Sequence, residues 1–445
     1  MHAVQVRVRS VLWAVVMTAL VVGTAQAADR FVSTTGSDTP NDCLSSLSPC
    51  RTVAYALTQA ASGDTVKVAG GSYRENLTVN TATTLTLSGS WANNFSTQDT
   101  ATTPTVLQQA RGESVVTVLA DGITVAFSAD GLTIQGGKEV FFPGGGGIQG
   151  QASAGGSLTL TLSRLVLQRN MSVDYGGGLT VRAVDAGTNL SVTLTDSTII
   201  KNASGFEGGG INISSDQQNS IVNVVLDGVL LKRNRSISGG ALSIHSIGSV
   251  GDNAQVSVKN SVFDGNRGRL DGGGIFAANA GCPMGACPLK VTNSVFRNNR
   301  AQLGGGVMMN PGGADLTNVT ATKNGASGST FEPGSGGGGV LLRDGTILNS
   351  ILWGNRGAHP RDLQAFFGVV GLDHSDVDEQ SGSVTDLGGN INANPLFTVP
   401  GDIHLRAGSP CIDTGTCTGA PTTDFEGDPR PTGAGCDMGA DEFVP

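Results

Sequence analysis

The chain has 445 residues, of which 66 are glycine and only 5% are aromatic. Its formal net charge is −9, and loss of a leader that carries Arg7 and Arg9 leaves 25 basic against 36 acidic residues, or −11. This balance argues against nucleic-acid binding, and against a polyanionic substrate unless basic side chains are grouped locally. The glycines recur in register with β-branched segments, so they indicate the turns of a regular coil rather than disorder.

The first 27 residues are typical of a secretory signal peptide. Arg7 and Arg9 precede the apolar run Val11–Val22 and the small-residue cleavage site Ala25-Gln26-Ala27. The run is shorter than the ~20 residues of a membrane span, and no later segment is long and apolar enough to cross a bilayer. We therefore expect no transmembrane segment in the mature chain, which would be secreted, held at the cell surface or periplasmic.

Seven cysteines in an exported chain predict disulfide bonds. Two local pairs are expected, Cys43 with Cys50 and Cys282 with Cys287. Among the last three cysteines we favour Cys417 with Cys436, which leaves Cys411 over. The cysteines have neither neighbouring histidines nor paired C-x-x-C spacing, so a metal centre is not expected there.

Residues 28–63 predict an N-terminal cap. Phe31–Ser33 is a predicted strand, and Thr52–Ala61 has the apolar spacing of a helix that Gly63 would end in the C′ position. Such a helix would cover the open end of a β-solenoid, whose unpaired backbone groups otherwise invite edge pairing. Short strands follow at Val66–Val68, Leu77–Val79 and Leu85–Leu87.

Residues 64–393 carry a repeat in which an asparagine precedes a run of small residues, mostly glycine, that ends in an apolar residue. The asparagines recur at intervals of 31 to 33 residues, with one interval of 25, at Asn170, Asn202, Asn234, Asn266, Asn299, Asn324 and Asn355. Fixed-period repetition marks a solenoid. Three short strands per repeat, without the spacing of leucine-rich, tetratricopeptide or ankyrin repeats, predict an all-β, right-handed parallel β-helix.

The asparagine row predicts a hydrogen-bonded ladder between coils, since a buried Asn at a turn can bond its own backbone and the amide of the next Asn. The glycines allow positive φ and close approach between coils. Their spacing matches no phosphate-binding loop, so we do not expect a nucleotide site.

The repeats resemble those of polymorphic outer-membrane proteins, which combine F-x-x-N with G-G-A-I. Here Phe263-Asp264-Gly265-Asn266 is followed by Gly272-Gly273-Gly274-Ile275. The segments that begin at Phe31, Pro49 and Gly63 resemble the first coil of pectate-lyase-like proteins. Residues 394–445, with Asn394-Pro395-Leu396-Phe397, resemble the choice-of-anchor Q domain of bacterial surface proteins. These resemblances imply an exported β-helix and no particular activity.

Candidate chemistry lies on the strand that follows each glycine turn. We define the first row as the residues one position after the apolar residue and the third row as those three positions after it, and strand alternation predicts that both face outward. Arg182 and His245 belong to the third row, two coils apart, and would serve a polysaccharide lyase. Glu207 and Asp271 precede their turns and would serve an inverting glycosidase. Ordinary solvated strand faces are the favoured alternative.

The run Asp424-Phe425-Glu426-Gly427-Asp428 has some likeness to a calcium loop, with Asp424, Glu426 and Asp428 as candidate ligands. A structural turn is favoured over Ca²⁺ binding because the EF-hand frame is lacking. No other cofactor is expected.

Without a convincing catalytic constellation, the sequence favours a secreted or surface-exposed, non-catalytic protein that binds a polysaccharide or a cell-surface component, as adhesins do. A polysaccharide lyase or glycoside hydrolase that acts on an extracellular glycan is the alternative. The oligomeric state stays open.

Overall fold

A computed structural model describes residues 26–140, 144–215, 220–245, 253–278, 288–309, 312–328, 336–357, 360–399 and 402–445. Most of the predicted leader and the predicted pair of Cys282 with Cys287 lie outside these residues. Within the described ranges, no helix is long and apolar enough to cross a membrane.

The first coil carries a short helix at its end. Strand Asp29–Val32 pairs in parallel with Thr65–Ala69, and helix Val53–Gln59 lies between them in the chain. Thr52 caps the helix by accepting from Tyr55 N–H at 3.2 Å. The predicted end was wrong, because Ala60 already has extended backbone and Gly63 is not the C′ residue.

Three parallel sheets form the walls of the coil, as the repeat predicts. The strands of the glycine-side sheet, named for the turns that precede most of them, are Leu77–Val79, Val116–Asp121, Ile148–Ser153, Leu179–Ala183, Ile211–Ser215, Leu242–His245, Ile275–Ala278, Val307–Met309, Val340–Leu342, Leu363–Ala365 and Gln380–Ser381. The strands of the short sheet are Lys138–Glu139, Met171–Ser172, Ala203–Ser204, Arg235–Ser238, Arg267–Asp271, Arg300–Ala301 and Gly325–Ala326.

The long sheet forms the third wall, and many of its coils contribute two strand segments. Its strands are Asp29–Val32, Thr65–Ala69, Gly71–Arg74, Thr83–Trp91, Thr105–Gln108, Thr124–Asp130, Leu132–Gln135, Ser157–Ser163, Val166–Gln168, Asn189–Thr195, Thr198–Ile200, Ile221–Asp227, Leu230–Lys232, Asn253–Lys259, Val262–Asp264, Leu289–Arg297, Gly313–Thr322, Asp344–Leu348, Ile351–Trp353, Val370–Asp373, Asp376–Val377 and Val384–Gly388.

Stacked apolar side chains fill the interior. Leu167, Ile199, Leu231, Phe263 and Phe296 are Cα partners in successive strands, and each is fully buried. The rings of Phe263 and Phe296 stack with centroids 4.5 Å apart. Because each coil buries this row only against its neighbours, the core runs the length of the helix.

The predicted ladder between asparagines is present, but their side-chain amides bond the backbone of the preceding coil, whereas a bond to their own backbone was expected. Asn266 Nδ2 donates to the Leu231 carbonyl and to Asn299 Oδ1, both at 2.9 Å. Its Oδ1 accepts from the backbone N–H of Asn234 at 2.9 Å and from Asn234 Nδ2 at 3.1 Å. The same bonds link the asparagines from Asn170 to Asn355, where Asp362 takes the place of a further Asn. The ladder thus satisfies the buried polar groups at one corner of the helix.

The glycine turns need glycine at defined positions. Gly208 has φ of +63°, and a Cβ there would lie 2.2 Å from the Ile211 carbonyl oxygen. At Gly209 a Cβ would lie 2.4 Å from the Arg235 oxygen in the next coil. The turn therefore packs too tightly for any side chain at these two positions.

The C-terminal region packs against the outer face of the long sheet. Asn318 Nδ2 donates to the carbonyls of Asp437 and Gly439, at 3.2 and 3.0 Å. Ile351 of the sheet joins Leu405 and Met438 in a small apolar cluster. Hydrogen bonds and apolar contacts therefore both fix this region to the coils.

Two predicted disulfides are confirmed, Cys43–Cys50 and Cys417–Cys436, and Cys411 is free and buried.

Within the C-terminal region, Arg430 and Glu442 form a buried ion pair at 2.7 Å, with side chains 0% and 1% exposed. Arg430 also donates to the carbonyls of Asp437 and Gly439.

Replacement of Asn266 by Ala should lower the free energy of unfolding by on the order of 3 kcal/mol, because the buried Asn234 N–H loses its acceptor. Urea denaturation of the mature protein measures the change. Asn189→Ala, at an exposed strand end, is the matched control and should leave the midpoint unchanged. Equal midpoints for the two variants would contradict a stabilising ladder.

Replacement of Arg430 by Met should destabilise the C-terminal region by about 3–5 kcal/mol, because Glu442 is then buried without its partner. Limited proteolysis should cleave this region faster than in the wild type. Arg406→Met, at an exposed arginine, serves as the control. Unchanged protection of the Arg430 variant would show that the ion pair does not hold the region.

Candidate functional site

The third row is aligned as predicted. Its members Gln151, Arg182, Ser214, His245 and Ala278 are Cα partners in successive strands of the glycine-side sheet. Neighbouring strands lie about 4.8 Å apart, so about 10 Å separates Arg182 from His245 along the sheet. Ser214 lies between them.

The first row is buried, contrary to the prediction that it faces solvent. Thr180, Asn212 and Ser243 are at most 2% exposed. The glycine turn folds back over the strand, so that a Cβ on Gly176 would lie 1.9 Å from Thr180 Oγ1. Strand alternation points these side chains out of the core, but the turn of the same coil covers them.

The first row changes character along the helix. Phe276, Met308 and Leu341 occupy it in later coils and form a small apolar cluster with Leu303 and Phe366. The polar part of the glycine-side sheet therefore ends where this cluster begins.

Glu207 contacts two residues of the neighbouring coil. Its Oε2 accepts from Ser243 Oγ at 2.9 Å and lies 3.5 Å from His245 Nδ1. Glu207 immediately precedes the Gly208 turn, which carries its side chain over the next strand. The pairing of Glu207 with His245 was not predicted, since the sequence does not reveal this turn geometry.

Asp271 occupies the same pre-turn position two coils further on. Backbone bridges stack Tyr175, Glu207, Ser238, Asp271 and Leu303, so Ser238 lies between the two acids. Ser238 Oγ donates to Asp271 Oδ2 at 3.0 Å. Burial raises the pKa of Asp271, the Ser238 hydrogen bond lowers it, and the nearby Glu207 charge raises it further, with a net rise.

We call Glu207, Ser238, Ser243, His245 and Asp271 the acid–histidine cluster. It contains one carboxyl with a raised pKa, a second carboxylate and an imidazole, which together can donate and accept hydrogen bonds or move protons. Asn212, in the first row beside it, has a buried Oδ1 without a hydrogen-bond partner among the described residues. Ser238, Ser243 and Asn212 are the residues that the sequence did not single out.

A second group lies in the C-terminal region. His404 Nδ1 lies 2.5 Å from Asp402, and its Nε2 lies 3.1 Å from Glu426 and 3.9 Å from Asp441. Among the described residues, the one group of three His, Cys or acidic side chains with ligand atoms within 4.8 Å of one another is His404, Glu426 and Asp441.

The charge on His404 decides what this group can bind. Burial lowers its pKa, but hydrogen bonds to Glu426 and Asp402 and the charge of Asp441 raise it, with a net value of about 9. At neutral pH a protonated His404 pairs with these carboxylates, and a metal ion would have to displace that proton to bind.

The predicted calcium ligands are used differently in the structure. Asp424 Oδ1 accepts from the backbone N–H groups of Glu426, Gly427 and Asp428, each within 2.9 Å. Its Oδ2 accepts from Glu442 N–H at 3.1 Å. Asp424 therefore holds a turn, Glu426 contacts His404, and within the described ranges Asp424, Glu426 and Asp428 do not form one ligand group. Calcium binding stays a prediction.

Replacement of His404 by Gln should destabilise the protein more at pH 6 than at pH 10. A histidine whose pKa is raised from 6.5 to about 9 stabilises the fold fully below pH 6.5, and this contribution is lost as the pH rises through 9. Urea midpoints at the two pH values measure the difference. Asn189→Ala, which removes no titratable group, is the control, and an identical pH profile for both variants would contradict the assignment.

No protein-family model matches the chain, and no curated protein matches it significantly. Among solved structures, it is similar to the crystal structure of pectate lyase Pel9A, with a TM-score of 0.52 and 16% sequence identity over 95% of this chain and 98% of that chain. Identity this low establishes the fold alone. The resemblances to outer-membrane-protein repeats and to the choice-of-anchor Q domain stay predictions. The chain is a parallel β-helix similar in fold to pectate lyase Pel9A.

Proposed function

We propose that the protein is a secreted or surface-exposed β-helix protein that binds carbohydrate on the glycine-side sheet without cleaving it. The observation that carries this proposal is the acid–histidine cluster beside the aligned third row. Gln151, Arg182, Ser214 and His245 place donors and acceptors about every 4.8 Å on a fixed sheet. Sugar hydroxyls are recognised by polar groups held in such fixed positions.

The contacts of the acids favour binding over hydrolysis. Glu207 and Asp271 lie two coils apart, a backbone separation of about 10 Å, at the upper limit of the about 6.5–9.5 Å that separates the carboxyl groups of an inverting pair. Ser238 lies between them, and Ser243 already donates to Glu207. A lyase would need a base next to a group that neutralises the carboxylate of a uronate. Its two candidate residues, Arg182 and His245, are also about 10 Å apart along the sheet.

An extracellular setting agrees with two features of the chain. The Cys43–Cys50 and Cys417–Cys436 bonds form and persist in oxidising compartments. The predicted signal peptide would deliver the chain there. The likeness to pectate lyase Pel9A supports the β-helix fold and does not identify a ligand.

A glycoside hydrolase is the second candidate, and one observation favours it. The pKa of Asp271 is raised by burial and by the nearby Glu207 charge, which is the direction that a general acid requires, and Glu207 would be the base. Two carboxyls in unlike environments are the usual source of an acid and a base in one site. In this case Asp271 protonates the leaving oxygen and Glu207 activates water.

The decisive experiment measures binding and turnover on the same samples. The mature protein is titrated with neutral and acidic polysaccharides, while reducing ends and ultraviolet absorbance report hydrolysis and lyase products. Glu207→Gln and His245→Ala should each weaken binding about tenfold, the effect of losing one hydrogen bond to a charged group. Glu113→Gln, at an exposed glutamate outside the cluster, should have no effect.

Products made by the wild type and lost in Glu207→Gln and Asp271→Asn would replace the binding proposal with the hydrolase. Saccharide binding that both cluster variants retain in full would move the site elsewhere on the protein. Urea midpoints of all variants distinguish a lost contact from lost folding.

A further inference from the structure

Arginines form a ladder immediately after the asparagine ladder. Arg235, Arg267 and Arg300 are Cα partners in successive strands of the short sheet, followed by Gly325 and then Arg356. All four arginines are exposed. Stacking in a parallel sheet therefore places one cationic side chain per coil, with a single gap at Gly325.

The row that precedes the asparagines is basic at four coils and is interrupted by Gly265 and Asn298. Arg169, Lys201, Arg233 and Lys323 each have positive φ and lie one residue before a ladder asparagine. Both rows flank the same corner of the helix. The corner thus carries positive charge on its two sides over several coils.

A groove opens between these side chains. It encloses about 680 Å³ and is lined by Arg267, Arg269, Arg300, Lys323 and Arg356. A neighbouring hollow of about 390 Å³ adds Arg235. Gly325 stands where the arginine ladder would place another arginine, so it leaves space in the groove. Its coil is short, because Asn324 follows Asn299 by 25 residues. No described residue that lines either hollow is acidic or aromatic.

These cations lack the pairing seen on the adjacent face. On the long sheet, Asp264 pairs with Lys232 at 3.0 Å and with Arg297 at 3.6 Å. In the part of the chain that the structure describes, no carboxylate forms an ion pair with the five cations of the groove. Like charges stacked across neighbouring strands repel one another, and this chain carries a net charge of −9. A bound anion would relieve that repulsion.

We propose that this basic groove binds an extended polyanionic polysaccharide, with carboxylate or sulfate groups along its length, that runs parallel to the helix axis. Arginine forks bind such oxyanions through paired hydrogen bonds. One cation per coil matches a ligand with regularly repeated charges. Single-stranded nucleic acid fits less well, because its bases need aromatic side chains on which to stack. An acidic chain is expected to bind a polyanion only where basic side chains are grouped locally, and the groove is such a group.

The groove lies at the corner where the short-sheet strands begin, whereas the proposed carbohydrate site uses the last residues of those strands, Ser238 and Asp271, and the glycine-side sheet. Its test uses the whole mature protein with four probes: oligogalacturonate, heparin, neutral dextran and oligothymidylate. Affinity is measured by calorimetry over a series of NaCl concentrations. The double variant Arg267→Gln, Arg300→Gln removes two neighbouring ladder cations. Lys259→Gln, Lys290→Gln makes the same charge change on the exposed face of the long sheet.

We expect oligogalacturonate or heparin to bind, and the arginine double variant to weaken binding about tenfold or more and to reduce its salt dependence. The lysine double variant should bind like the wild type. Both double variants should keep the urea midpoint of the wild type. Preference between the two probes tells carboxylate from sulfate. Absence of polyanion binding at low salt, equal weakening by the lysine variant, equal weakening of dextran binding by the arginine double variant, or tighter binding of oligothymidylate would overturn the proposal.

Discussion

The asparagine ladder is the interaction on which the rest of this structure depends. At the ladder corner two residues separate one strand from the next, which leaves backbone groups that no strand can pair. Asn266 bonds the Leu231 carbonyl of the preceding coil and the side chains of Asn234 and Asn299 in the coils on either side. Each coil is therefore held in register with the next, and every side-chain row follows from that register.

Because the register is fixed, residues at the same position of successive repeats stack into rows on the surface. The pre-turn position stacks Glu207 with Asp271, and the turn brings Glu207 to His245 in the adjacent coil. The position after the ladder stacks Arg267 on Arg300. One face of the helix thus gathers acids and an imidazole, and a neighbouring corner gathers cations, although the whole chain is acidic.

Much of the fold could be predicted because it repeats. The period of the repeat predicted which residues form the asparagine ladder, the interior row and the third row, since each depends only on the stacking of similar coils. Gly63 was wrong as a helix end because Ala60 already has extended backbone and the Ala61 N–H donates to the Asp64 carboxylate instead of to a helical carbonyl. Burial of Thr180 was missed because a turn in the same coil folds over it. The contacts of His404 join distant segments of an irregular region, where no period guides prediction.

Amide hydrogen exchange of the mature protein tests the central claim most directly. The backbone N–H groups of Asn202, Asn234 and Asn266 each donate to the next asparagine side chain, so they should exchange as slowly as the core strands. Exchange at the rate of the exposed turns would show that the ladder does not hold the coils in register.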